Sequence, residues 1–246
     1  MISVLRSSNK KEERYSCVHI LRSANCFCFT MIVRHYSIFD SLILMELEFS
    51  YFHGEWLNLK FMNVLILVNS YGEPDSISTV MTDYIKAQLN TKGIESSVFS
   101  AAESGIPLID TALNSPPENV KQMTDQFLTA DLHFWLSPLY HGSITGGFKN
   151  CLDWLEITAH LPRPYLTDKV VGLICWADGS QALNGISTME NIAKSLRAWS
   201  VPYTLPIISK DFFEPPNTMN IAGEYKEKLD LLIQIAISRK VKVIDR

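Results

Sequence analysis

Leu132 to Trp154, LHFWLSPLYHGSITGGFKNCLDW, decides how this chain folds. Leu132-His133-Phe134-Trp135-Leu136 is a short apolar run of the kind a fully buried strand requires, and Pro138 closes it. A loop with three glycines follows (Gly142, Gly146 and Gly147), and a helix is expected from Phe148 to Ala159. Strand, glycine-bearing loop and helix N-terminus in succession build ligand sites in open α/β sheets. The reason is that free backbone N–H groups gather at the strand's carboxyl end.

The same grammar extends in both directions. Asn63-Val64-Leu65-Ile66-Leu67-Val68 is a continuous apolar run, as expected for the central strand of a parallel sheet. A polar loop, Asn69 to Asp75, leads to a helix over Ser76 to Asn90, with Val80, Tyr84, Ala87 and Leu89 as its apolar side. Lys92-Gly93 ends that helix, and Ser96 to Phe99 forms a short second strand. Pro107, Pro116 and Pro117 punctuate a long connection to a helix over Glu118 to Leu128. Beyond the central stretch, Val170 to Trp176 reads as a fourth strand, Ser187 to Trp199 as a helix, Tyr203 to Ile207 as a strand and Gly223 to Lys240 as the last helix. Five strands alternating with helices predict an α/β fold with one doubly wound parallel sheet, most simply in the order 2-1-3-4-5.

Residues 1–61 differ in character. They hold three of the five cysteines, with little helical or strand periodicity and no clear caps or turns. Met62 stands directly before the first strand, which makes 62–246 the expected folded domain and 1–61 a non-native or poorly ordered N-terminal extension. A genuine accessory extension is the other reading. Cys26 to Val33 behind Arg22 has the apolarity of a signal-peptide core, but it lies late, follows a mixed Lys/Glu segment and lacks a small-residue cleavage pattern.

Composition narrows the class. A chain of 246 residues that is 47% hydrophobic has material for a full core in one large or two small domains. A formal charge of −4 argues against a nucleic-acid partner, which usually meets a basic face. No apolar run approaches the roughly 18 to 20 residues of a membrane-spanning helix, so no membrane partner is expected. Cys17, Cys26, Cys28, Cys151 and Cys175 form no C-x-x-C pair, which suits a reducing, cytoplasmic setting. The histidines are dispersed without ligand spacing, so no metal is expected. No nucleophile elbow, Walker A loop, H-E-x-x-H or dinucleotide-binding G-x-G-x-x-G occurs.

Within the opening stretch, P-L-Y-H-G (138–142), G-G-F-K-N (146–150) and D-W (153–154) resemble the flavin-binding loop of the NADPH-dependent FMN reductases. That flavodoxin-like family includes azo-, quinone- and chromate-reducing members. The resemblance covers about Met62 to Ile207 and implies bound FMN, with NADPH or NADH as co-substrate. It further implies a ping-pong reaction that passes hydride to a small acceptor: free flavin, a quinone, an azo compound or a metal oxyanion. It also implies a homodimer or homotetramer. A one-electron carrier like flavodoxin and a non-catalytic binding module are the alternatives to the reductase reading.

Three loops would then converge on the flavin, those after the first, third and fourth strands. In the first, Ser70, Ser76, Ser78 and Thr79 are the candidate phosphate contacts, since hydroxyls and N–H groups at a helix N-terminus favour an anion. A plain N-cap at Asp75 or Ser76 explains the same residues. Relatives commonly carry an arginine here, whereas this loop has none and holds Glu73 and Asp75 instead. The second loop offers Pro138, Leu139, Tyr140, His141 and Gly142: Tyr140 against the ring, and backbone N–H groups near His141 and Gly142 toward its polar edge. Relatives show mostly His or Asn at the position of His141, which suits loop shaping better than acid catalysis. Val in place of Gly142 would stand where the ring lies. The third loop contributes Asp178, Gly179, Ser180 and Gln181, with Trp176 at the strand end. Gly146-Gly147 permits close backbone approach, and Lys149-Asn150 matches the family's K-N pair. Leu152, Trp154 and Leu155 suit either a dimer face or the core, and Arg163 and Arg197 are candidates for meeting the 2′-phosphate of NADPH.

Overall fold

The computed structural model describes four strand segments within residues 1–61, together with residues 62–113, 115–215 and 219–238. The chain divides into two units, Met1–Leu57 and Asn58–Arg246. In the first, β1 (Val4–Leu5), β2 (Arg14–Ile20), β3 (Phe29–Ser37) and β4 (Ile43–Glu48) form an antiparallel sheet in chain order. The weak periodicity of this stretch did not foreshadow strands, although Val18, Ile20, Phe29, Ile32 and Val33 are residues that favour them.

The second unit alternates as its apolar runs dictate. Its elements are β5 (Val64–Val68), α1 (Ile77–Thr91), β6 (Ser96–Ser100), α2 (Glu118–Thr129), β7 (Leu132–Pro138), α3 (Gly146–Asp153), a 3-10 turn (Trp154–Thr158), β8 (Val170–Ala177), α4 (Ala182–Ser195), β9 (Trp199–Ser200), β10 (Leu205–Ile208) and α5 (Gly223–Ile237). The sheet is parallel in the order β6-β5-β7-β8-β10, which is 2-1-3-4-5 for the five main strands, with the short β9 also paired to β8.

Every residue of β5 and β7 is buried. Their side chains alternate between two cores, as a period of two requires. Val64, Ile66, Val68, Phe134 and Leu136 pack on the side of α1 and α5, and Leu65, Leu67 and Trp135 pack on the side of α2, α3 and α4. Full burial of each such side chain stabilises the fold by about 1.5–3 kcal/mol.

Several boundaries differ from the sequence reading, each for a physical reason. Helix α1 buries Met81, Ile85 and Leu89 against the sheet, while Ala87 is exposed and Val80 and Tyr84 are only partly covered. Tyr84 turns toward α5, where its hydroxyl donates to Asp230 at 2.9 Å, and burial with that carboxylate pushes the phenol up to about 12. The end of α1 follows the sequence: Gly93 has φ 71° and Ile94 N–H donates back to Leu89, a glycine-terminated cap. Helix α3 begins at Gly146, two residues early, because Thr145 caps it by accepting from Phe148 N–H. Helix α4 begins at Ala182 and ends at Ser195, so Asn184 and Gly185, which read as loop, lie inside it. The last strand starts at Leu205, and the end expected for the last helix, Lys240, lies outside the described residues.

The connection after β6 is tied down at Pro107 and Ile109 by α3 and the 3-10 turn that follows it. Asn150 accepts from Ile109 N–H at 2.9 Å and donates to the Pro107 carbonyl at 2.8 Å, and the Trp154 indole donates to the same carbonyl at 2.7 Å. Asn150 of the K-N pair is therefore a loop clamp. Asn150→Ala removes both of its bonds and is expected to lower unfolding free energy by about 1–3 kcal/mol. Hydrogen exchange at Ile109 N–H would report the freed segment.

Candidate functional site

The loops after β5, β7 and β8 meet at the carboxyl end of the sheet, on one cavity of about 380 Å³. That size falls within the roughly 300–1,000 Å³ usual for small-molecule sites. The first loop contributes Asn69, Ser70, Glu73, Ser76, Ile77 and Ser78, and the second contributes Pro138, Leu139 and Tyr140. Trp176, Ala177 and Asp178 come from the third, and Ser209 from the turn after β10.

Backbone pairing holds the loops in place. Asn69 N–H donates to Leu136, Ala102 N–H donates to Asn69, and Leu139 N–H extends the ladder to the Trp176 carbonyl. Thr145, at the start of α3, donates to Asn69 Oδ1 at 2.5 Å and so links the second loop to the first. Asn69 and Ser209 were not anticipated as site residues. The only signal was position, since each immediately follows an apolar strand.

In the first loop, Ser76 N–H reaches back to the Glu73 carbonyl across Pro74-Asp75, with Asp75 at φ 70°. Proline followed by a positive-φ residue is the pattern of a type II turn. Ser76 then caps α1, its hydroxyl accepting from Thr79 N–H at 3.2 Å. The expected phosphate hydroxyls are largely engaged within the protein. Ser70 donates to Glu103 Oε1 at 2.9 Å, Ser78 donates to the Ser70 carbonyl, and Ser76 donates to the Glu73 carbonyl while accepting from the Thr79 hydroxyl. Thr79 Oγ1 also accepts from Gly72 N–H and does not line the cavity. What remains open at the helix start is the backbone, the N–H groups of Ile77 and Ser78.

The second loop is a tight hairpin. Tyr140 and Ser143 exchange both backbone hydrogen bonds, at 2.9 and 3.1 Å, around His141 at φ 51° and Gly142 at φ 86°. Two positive-φ residues in a two-residue loop define a type I′ turn. Histidine and asparagine are enriched in the left-handed region, so the residue type at 141 follows from backbone shape. Neither His141 nor Gly142 lines the cavity; the turn instead sets Tyr140, 61% exposed, at the cavity mouth. A Cβ on Gly142 would meet no protein atom within 4 Å, so Gly142→Val acts through its φ and not through crowding in the protein. Such strain costs about 1–3 kcal/mol. We expect Gly142→Val to weaken flavin binding at least tenfold, and His141→Asn to leave it within about twofold, by fluorescence titration.

The third loop brings in only Asp178 of its four candidates. Gly179, Ser180 and Gln181 do not line the cavity, because Gln181 directly precedes α4 and the loop is short. Other expectations are corrected by the packing. Arg163 pairs with Asp168 at 2.5 Å, and Arg197 lies 5.5 Å from the Tyr165 ring centroid. Both precede the amino ends of β8 and β9, opposite the cavity, and so cannot meet a nicotinamide nucleotide there. Lys149 pairs with Asp153 one turn on. Leu152, Trp154 and Leu155 are at most 2% exposed, which assigns them to the core and not to a dimer face. Gly146 and Gly147 have no protein atom within 4 Å of a built Cβ, so nothing within the chain requires glycine there for space. Among the described residues, no cluster of three or more His, Cys, Asp or Glu could hold a metal ion, and no helix is long and apolar enough to cross a membrane.

A doubly wound sheet in this order, with its cavity where the strand order reverses, defines a flavodoxin-like protein with a nucleotide-type ligand site. The NADPH-dependent FMN reductase profile matches residues 62–212, and the chain belongs to that family. It is thus an oxidoreductase that uses FMN and NADPH. It is 29% identical over 156 residues to an FMN-dependent NADPH-azoreductase of Staphylococcus aureus, covering 61% of this chain and 79% of that one. An oxidoreductase of Corynebacterium diphtheriae superposes with a TM-score of 0.57 at 20% identity, over 72% of this chain and 96% of the other. The flavoenzyme NAD(P)H:(acceptor) oxidoreductase FerB of Paracoccus denitrificans gives 0.56 at 18% identity, over 72% and 95%. At those identities the two structures speak for the fold.

The residues fit FMN unevenly. Leu139, Tyr140 and Trp176 give the apolar and aromatic surface a flavin ring requires, while the Leu139 and Tyr140 N–H groups are engaged within the protein. The phosphate end offers helix N–H groups but also the Glu73 carboxylate.

Proposed function

We propose that FMN occupies this cavity with its ring at the second and third loops and its phosphate toward the start of α1, and that the protein reduces a small acceptor at NADPH's expense. One observation carries this reading: three separate loops of the sheet's carboxyl end line a single cavity of about 380 Å³. Bound FMN supplies the hydride chemistry. The chain's own residues orient and solvate it. Leu139 and Trp176 cover apolar ring surface, Tyr140 stands at the cavity mouth beside them, and Ile77 and Ser78 N–H face the phosphate. His141 shapes the turn and transfers no proton. Pro138, Ser70, Ser76, Ser78 and Asp178 line the walls, while Thr79, Gly179, Ser180 and Gln181 support the loops from outside.

The acceptor class is a free flavin, quinone, azo compound or metal oxyanion, with azo compounds favoured by the relative's name. We place the reductase in residues 62–246, in a cytoplasmic protein. A homodimer or homotetramer is part of this reading, and exposed Leu108 (83%) and Leu113 (47%) offer apolar surface for it. Steady-state kinetics with NADPH and each acceptor class tests the function. Parallel double-reciprocal lines with at least one acceptor support it; no NADPH oxidation with any of them, FMN being supplied, contradicts it.

A further inference from the structure

We propose that Glu73 makes this cavity indifferent to the flavin's phosphate, so that riboflavin is bound about as well as FMN. The inference rests on the flavin reading above.

Charge and committed donors decide how the cavity treats a phosphate. A phosphate ester carries about −1.5 to −2 charges at neutral pH and needs positive partners or free donors. Ser70 and Ser78, the cavity hydroxyls best placed for that, are already donating, to Glu103 and to the Ser70 carbonyl. Ser76 is spent on the Glu73 carbonyl and on Thr79. Only the Ile77 and Ser78 N–H groups and the dipole of α1 attract the anion. Against them stand Glu73 and Asp178, both lining the cavity, with Asp75 in the same turn. Among the described residues, no lysine or arginine lines the cavity. Attraction by a helix start and repulsion by nearby carboxylates are of similar size, so the phosphate adds little net affinity. The ring and ribityl chain carry no charge for these carboxylates to repel, so they bind without that cost.

Glu73 is the residue to change, because it is exposed and engages the loop through its carbonyl, which any side chain retains. The test measures dissociation constants for FMN and riboflavin by flavin fluorescence quenching, on the full-length protein and on Glu73→Arg and Glu73→Gln. In the unaltered protein the two constants are expected to agree within about fivefold. Glu73→Arg is expected to tighten FMN at least tenfold with riboflavin unchanged, because a guanidinium forms charge-assisted bonds to phosphate. Glu73→Gln should tighten FMN by a smaller factor in the same direction. A preference for FMN of about thirtyfold or more in the unaltered protein overturns the proposal while leaving the flavin reading intact. So does a Glu73→Arg variant that affects both flavins equally. If neither flavin binds any of the three proteins, the flavin reading falls and the proposal with it.

Discussion

Gly185→Ala is expected to lower the unfolding free energy by about 1–3 kcal/mol, although alanine is ordinarily the better helix residue. A Cβ at this position in α4 would lie 2.3 Å from Cys175 Sγ, 3.3 Å from Cys175 Cβ and 3.1 Å from Leu139 Cδ1. Cys175 is fully buried in the inner strand β8, so it cannot swing away without displacing its neighbours. The gain in helix propensity, about 1 kcal/mol, is smaller than the cost of such overlap. Leu139 belongs to the second cavity loop, so flavin affinity should fall together with stability. Cys175→Ala removes the closest clash, and the double variant should recover at least about 1 kcal/mol relative to the sum of the two single changes. Urea denaturation of the four proteins checks this. A Gly185→Ala protein as stable as the parent would contradict the packing.

The second large effect is a dependence on acid. His133 lies on β7 with no exposed surface, tilted against Phe127 with ring centroids 5.6 Å apart. Burial, assisted by the charge of Lys169, pushes its imidazole down to about 3 from an ordinary 6.5. The Phe127 carbonyl, too poorly placed for a hydrogen bond of normal geometry, and Asp131 oppose that shift. The folded state thus keeps His133 neutral where the unfolded chain protonates it. Its contribution is nil above the unfolded value, and it destabilises increasingly as pH falls through the window from 6.5 to 3. Within that window the slope approaches about 1.4 kcal/mol per pH unit. His133→Leu should remove this component, so the stability difference between parent and variant should widen by about 2–3 kcal/mol between pH 6.5 and 4.5. Parallel stability curves across that range would show that His133 titrates normally.

Much of the fold was legible because burial writes itself into parallel strands as unbroken apolar runs. Val64 to Val68, Leu132 to Leu136 and Val170 to Trp176 could each be read directly, and alternation with helices gave the strand order. The P-L-Y-H-G loop was legible through its resemblance to the family's flavin-binding loop, whereas the tight turn around His141-Gly142 is a feature the structure adds. What escaped were features that depend on neighbours distant in the chain. Gly185 reads as a loop glycine, yet it lies within α4 at a point where Cys175 leaves room for no side chain. The serines of the first loop read as phosphate donors, but Glu103 and the Ser70 carbonyl, supplied by the fold, claim two of them. Trp154 suited a dimer face until the carbonyl of Pro107 and the core enclosed it. Arg163 and Arg197 were candidates by charge alone, and topology sends both to the wrong end of the sheet. Charge and hydroxyl content are local facts, whereas the availability of those groups is a property of the tertiary structure.

On this reading the cavity at the carboxyl ends of β5, β7 and β8 holds a flavin that NADPH can reduce. The most direct measurement is the visible absorbance of the full-length protein, reconstituted with FMN and freed of unbound flavin, during anaerobic titration with NADPH. A retained flavin band that bleaches stoichiometrically in the parent, and is lost or much diminished in Gly142→Val, is the predicted result. A retained band that NADPH leaves unchanged, or no retained band in the parent at any FMN concentration, would show that the cavity houses no reducible flavin.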